Sequence, residues 1–179
     1  MKKKLSHKEL LAIAREIKLL VLDVDGVLTD GGIILDDRGN EMKSFHVRDG
    51  HGIRMLITNG IKVALITGRS SGVVERRAEE LGITDVFQKC LDKKKAYRQL
   101  AKKYSLADSE IACVGDDIVD LSLLRLCGLP VTVADGHEVI QQQVKLITKK
   151  AGGRGAVREI CDLILEAKGL LNKLIDEYS

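Results

Sequence analysis

The sequence predicts an α/β fold: a doubly wound, mostly parallel sheet carrying a projecting β-hairpin. Three observations lead there. Residues 19–22, Leu-Leu-Val-Leu, are apolar without alternation, which suits a strand buried on both faces of a parallel sheet. From Asp49 onward, helix-type and strand-type patterns alternate to the end of the chain. Small polar and acidic residues follow the apolar runs, where the strands of open α/β sheets end and ligands bind.

At 179 residues, 45% hydrophobic and 31% charged, residues 1–179 have the length and composition of one globular domain. The net charge of +3 is spread along the chain, and three Tyr, two Phe and no Trp offer no stacking platform, so no nucleic-acid partner is expected. Cys90, Cys113, Cys127 and Cys161 show neither CxxC nor zinc spacing and read as reduced, mostly buried thiols. The opening Met-Lys-Lys-Lys could begin a signal peptide, but Glu9, Arg15 and Glu16 interrupt the apolar run it requires. No segment reaches the length of a membrane span, so a cytoplasmic protein without a membrane partner is expected.

In chain order, Leu10, Ile13, Ala14 and Ile17 recur at helical spacing and predict an amphipathic helix over residues 5–16. The strand at 19–22 runs into Asp23 and Asp25, which share one side if the extension continues. Their mutual repulsion is relieved by a shared proton or by a hard cation such as Mg²⁺, although Asp-Gly can also be an ordinary strand-ending turn. Residues 31–47 hold two β-prone arms around Asp-Asp-Arg-Gly-Asn, a hairpin whose Ile33, Ile34, Leu35, Met42, Phe45 and Val47 need a packing surface. A second subunit is one candidate for it. Helices are then expected near 50–59, 71–81, 93–104 and 118–127, and strands near 62–67, 84–88, 110–115, 130–134 and 145–148. The Gly-rich break at 151–155 precedes a last helix over 156–176.

The strand ends carry the chemistry. Thr67, Gly68, Arg69, Ser70 and Ser71 precede a helix start, as an oxyanion cradle or a simple cap would. Lys93 opens a helix, where a cation opposes the dipole; it is either an anchor for an anion or part of a solvated lysine run. Gly115, Asp116 and Asp117 end another strand, with Asp120 one helical turn later, and acids are favourable there in any case.

Taken together, DVDGVLT, LITGRSS, the lysine of the DK pair and VGDD resemble, in that order, the four motifs of the haloacid dehalogenase superfamily, over residues 19–160. The resemblance implies that Asp23 is a nucleophile forming an aspartyl-phosphate and that Asp25 is the general acid, then base. It also implies that Thr67 and Lys93 hold the phosphoryl oxygens. Mg²⁺ would be bound by Asp23, the backbone carbonyl of Asp25 and Asp116, with Asp117 supporting that site from behind. Because 44 positions separate Asp23 from Thr67 and 26 separate Thr67 from Lys93, no room remains for the cap domain of most relatives.

The capless chain, its hairpin, FHVRDGHGI and AGGRGAVREICDLIL are similar to the branch of 3-deoxy-D-manno-octulosonate 8-phosphate phosphatases, enzymes of lipopolysaccharide precursor synthesis. That branch implies a homotetramer in which hairpins associate and a Gly-rich tail reaches a neighbour's site. It further implies a substrate-binding set of Asp25, His46, Val47, Arg48, Asp49, Gly50, Arg54, Arg69, Arg77, Lys93 and Arg154. Arginine forks suit a substrate with both carboxylate and phosphate. His46 and His51 read as polar contacts rather than bases. Three alternatives stand beside this reading: a phosphatase of a nine-carbon sialic-type sugar acid, a non-catalytic oligomerisation module, and a receiver domain. The last lacks any counterpart to the Gly-Asp-Asp after the lysine.

Overall fold

The computed structural model describes residues 5–177. Helix α1 (His7–Glu16) starts behind a capping box: the Ser6 hydroxyl accepts from the Glu9 N–H, and the Glu9 carboxylate accepts from the Ser6 N–H. Strand β1 (Leu19–Leu22) follows, then the hairpin strands β2 (Ile34–Leu35) and β3 (Glu41–Met42), and α2 (Val47–Thr58). The winding continues with β4 (Lys62–Ile66), α3 (Gly72–Leu81), β5 (Asp85–Phe87), α4 (Lys93–Tyr104) and β6 (Ile111–Val114). It closes with α5 (Leu121–Leu124), β7 (Leu129–Thr132), α6 (Glu138–Gln141), β8 (Leu146–Ile147), α7 (Ala156–Ala167) and α8 (Leu171–Asp176).

The sheet has the order β5-β4-β1-β6-β7-β8 and every neighbouring pair is parallel. Leu20 and Leu22 pack into a core with Leu10, Ile53, Leu56, Val74 and Ile160, under α1, α2, α3 and α7. Leu19 and Val21 face the other way, into a core with Tyr97, Leu100, Leu123 and Ile140 under α4, α5 and α6. Helices therefore cover both faces, the doubly wound α/β architecture expected, with strand β1 buried throughout. The chain winds outward from β1 in both directions, so the crevice at the C-terminal end of β1 is the topological switch point. Among the described residues only the hairpin stands between β1 and α2, and no cap domain is inserted.

Three elements differ from expectation. The helix expected over 118–127 is a single 3-10 turn, Ile118–Asp120, followed by the four residues of α5, because the Asp120 side chain is turned back onto the backbone N–H groups of Asp116 and Asp117. The last helix breaks where Gly169 takes φ +70°, ending α7 and letting α8 start in a new direction. Helix α6, too short to show a period, was not foreseen.

The Gly-rich segment packs within its own chain. The Gly153 N–H donates to Val27 O at 3.0 Å, and the Gly152 N–H donates to Asp135 Oδ1 at 2.9 Å. A Cβ on Gly152 would collide with the Gly26 carbonyl, so only glycine lets the two backbones meet. The AGGRG stretch thus braces the loop after β1 of its own chain.

Candidate active site

Asp23 is the first residue beyond β1 and is buried there. Its Oδ1 accepts the Val24 N–H at 2.8 Å, and its Oδ2 lies 2.9 Å from Lys93 Nζ. Lys93 is the first residue of α4, buried, and also 2.6 Å from Asp120 Oδ1. Two buried carboxylates explain why a cation sits at this helix start against the dipole.

Asp116 follows β6, with its carboxylate against Gly26, whose φ of +83° and missing side chain make room for it. Carboxylate oxygens of Asp23, Asp116 and Asp120 all lie within 4.8 Å of one another. Burial first, then the Asp120 charge, pushes the Asp23 carboxyl up to about 6, against the pull of Lys93. Asp116 is pushed up to about 7 by burial, then by Asp23 and Asp120. Three carboxylates face one ammonium, and Asp23 and Asp116 keep oxygen lone pairs free, a donor set that fits a hard divalent cation.

Asp117 does not support this cluster from behind: it is exposed, and its carboxylate accepts the Ile118 N–H at 2.7 Å to cap the 3-10 turn. That supporting position is held by Asp120, which grips Lys93 with Oδ1 while Oδ2 accepts the Asp116 and Asp117 N–H groups at 3.1 and 3.3 Å. Its place one turn after the Gly-Asp-Asp was the available sequence signal. Thr67, buried at the end of β4, accepts the Arg69 N–H at 3.4 Å.

Asp25 lies at the mouth of the site, contacted at Oδ1 by Lys43 and, at 3.6 Å, at Oδ2 by Arg69 Nε. Lys43 was not foreseen. It follows a methionine that faces solvent, and no motif marks it.

The remaining substrate set divides. Arg69 stands at the rim, with Nη2 also 2.6 Å from Glu41 Oε1. Asp49 is buried and turned away: its carboxylate accepts the Gly155 and Arg158 N–H groups at 3.2 and 2.7 Å and caps α7. Gly50 is buried beneath the Arg77 guanidinium, which stacks on the Phe45 ring at 5.8 Å and pairs with Glu80 at 2.8 Å. His46, Asp49, Gly50 and Arg77 line a cavity of about 10 Å³, too small for a sugar. An open groove of about 370 Å³ beside it is lined by Phe45, Val47, Val73, Arg76, Arg77 and Glu80. Arg48 is exposed on α2. Arg54 does not join the site of its own chain, because its guanidinium meets Gly82 at the far end of α3, about 15 Å along that helix from the Thr67 loop. Arg154 is exposed and pairs with Asp30 at 3.1 Å.

A parallel sheet with an acidic, lysine-braced cluster at its switch point has the makings of a metal-assisted phosphotransfer enzyme. Residues 78–160 match the profile of haloacid dehalogenase-like hydrolases, and the chain belongs to that family. It is 47% identical over 165 residues to the 3-deoxy-D-manno-octulosonate 8-phosphate phosphatase KdsC of Escherichia coli K12, covering 92% of this chain and 88% of that one. The 3-deoxy-D-manno-octulosonate 8-phosphate phosphatase of Moraxella catarrhalis, solved with a magnesium ion, a phosphate ion and a KDO molecule, superposes with a TM-score of 0.94 at 44% identity. That match covers 96% of this chain and 99% of the other. The Yersinia pestis phosphatase of the same name gives a TM-score of 0.91 at 45% identity, over 92% and 89% of the two chains.

Proposed function

We propose that the protein is a cytoplasmic, Mg²⁺-dependent phosphatase, formed as one unit by residues 1–179, that hydrolyses 3-deoxy-D-manno-octulosonate 8-phosphate to the free sugar acid and phosphate in lipopolysaccharide precursor synthesis. The observation that carries this reading is the Asp23–Lys93–Asp120 arrangement facing Asp116 at the end of β1.

Asp23 attacks phosphorus, the bond from phosphorus to the sugar oxygen breaks, and the electron pair leaves on that oxygen, which takes the Asp25 proton. Asp25 then removes a proton from water, whose oxygen attacks the aspartyl-phosphate and releases phosphate and the Asp23 carboxylate. Thr67 and Lys93 hold the non-bridging oxygens through both steps. When bound by Asp23, Asp116 and the carbonyl of Asp25, Mg²⁺ supplies the positive charge that lets an anionic nucleophile meet a phosphate dianion. The covalent intermediate divides a very slow hydrolysis into two accessible steps.

A phosphate-release screen over sugar acid phosphates tests this reading. Turnover is expected to be highest on the eight-carbon 8-phosphate and lost without Mg²⁺; preference for a nine-carbon sialic-type ester would reassign the substrate, and no release from any ester would leave a non-catalytic module.

Metal and protons compete for the same carboxylates. Asp23 and Asp116 bind protons more tightly when folded, with values near 6 and 7 against a usual 3.8, so the stability this confers is full below about pH 4. It is lost as the pH rises through 6 and 7. Saturating Mg²⁺ is therefore expected to raise the melting temperature by about 5 °C or more at pH 8 and by much less at pH 5.5. Equal shifts at both pH values, read by calorimetry, would argue that the ion binds elsewhere.

The assembly is a homotetramer joined through the hairpins. Ile33, Ile34, Leu35 and Met42 are all about half exposed, an apolar ribbon that a second copy would cover. Ile34→Glu with Leu35→Glu is expected to yield monomers in sedimentation velocity; a fully active wild-type monomer would refute the assembly.

A further inference from the structure

We propose that Lys43, on the hairpin, is a positioning residue for Asp25, an inference that rests on Asp25 being the acid and base of the reaction. The side chain of Lys43 is only 1% exposed. A buried ammonium is costly unless paired, and this one is paired twice, with Asp25 Oδ1 and with Glu41 Oε1 at 3.3 Å. Arg69 completes the circuit, with Nε 3.6 Å from Asp25 Oδ2 and Nη2 2.6 Å from Glu41 Oε1. With Asp25 ionised, as it is when it takes the proton from water, Lys43, Asp25, Arg69 and Glu41 form a closed ring of two cations and two anions with no net charge.

The ring joins three segments: the loop after β1, the second arm of the hairpin and the loop after β4. Lys43 and Arg69 approach different oxygens of Asp25, so the carboxylate cannot rotate without breaking a charged contact. Asp25 has no other side-chain partner among the described hydrogen bonds and ion pairs. Arg69 is the looser clamp, longer and nearly half exposed, which leaves Lys43 as the buried contact that sets the angle. A surface ion pair merely tying down the hairpin would not need a buried ammonium, nor would it end on the residue that delivers a proton. Displacing a reacting group by about 1 Å can cost about 100-fold in rate, so this orientation bears on turnover.

The leaving group separates this role from a structural one. A sugar alkoxide needs a proton as the bond to phosphorus breaks, whereas p-nitrophenolate leaves without one, and kcat/KM reports only the steps up to aspartyl-phosphate formation. Lys43→Met is expected to lower kcat/KM on the sugar acid phosphate about 10-fold or more while p-nitrophenyl phosphate changes less than about 3-fold, and Lys43→Arg is expected to restore most of the loss. Should Lys43→Met fail to fold, Lys43→Gln is measured for the same ratio. Equal losses on both esters, or no loss on either, would overturn the inference. Asp25→Asn is the reference: if it lacks the selectivity, the reading of Asp25 as acid falls; if it shows the selectivity and the Lys43 variants do not, only the role of Lys43 falls.

Discussion

Asp23→Asn is expected to reduce phosphate release about 10⁴-fold or more, because the amide removes the nucleophile and with it the covalent route. The protein should remain folded. Asp23 is a buried carboxylate pushed up to about 6, so an isosteric amide relieves part of a burial cost, and Lys93 keeps Asp120 as a partner. The melting temperature of the metal-free variant at pH 8 is therefore expected to equal or exceed that of the wild type. Turnover within about 10-fold of wild type would remove Asp23 from the reaction, since acid–base or binding roles alone would then carry the rate.

Lys93→Met should affect both turnover and stability. It leaves the carboxylates of Asp23 and Asp120 buried without their ammonium, and breaking a buried pair on one side costs about 3–5 kcal/mol. For a chain of this length that corresponds to a fall of about 6–20 °C in melting temperature. The deficit should be larger at pH 8 than at pH 5, because the Asp23 carboxyl, already pushed up by burial, binds its proton more tightly still once the Lys93 ammonium is gone and is more fully neutralised at the lower pH. Turnover is expected to fall about 100-fold or more through loss of charge stabilisation on the phosphoryl group. A variant that melts within 2 °C of wild type at pH 8, judged against about 2–4 °C per kcal/mol, would show that the pair contributes almost nothing.

Much of the site was legible because its parts sit where strands end. A short unalternated apolar run suits a strand buried on both faces, and the residues that follow such strands in an open α/β sheet face the crevice, which brought out Asp23, Thr67 and Asp116. Lys93 stood out by violating the helix dipole. What stayed hidden depends on contacts between distant segments. Asp49 looked like a substrate contact in an Arg-Asp-Gly run, but it caps a helix that starts 106 positions later, as its bond to the Gly155 N–H shows. Lys43 was missed because its burial depends on the way the hairpin folds back over Asp25. Arg54 carried no local sign that it lies at the far end of its neighbour helix. The break at Gly169, by contrast, is legible as a glycine within the last helical run, the residue type that most readily takes the left-handed backbone found there.

The seating of the Gly-rich segment on the loop after β1 also has a temporal consequence. Asp30 and Arg154, which close that junction, are 124 positions apart. A ribosome adding about 5–20 residues per second must therefore work for several seconds after Asp23 has emerged before its loop can be braced. Catalytic competence should arrive with the last segments of the chain, so a nascent or C-terminally truncated polypeptide is expected to hold its nucleophile without being able to use it.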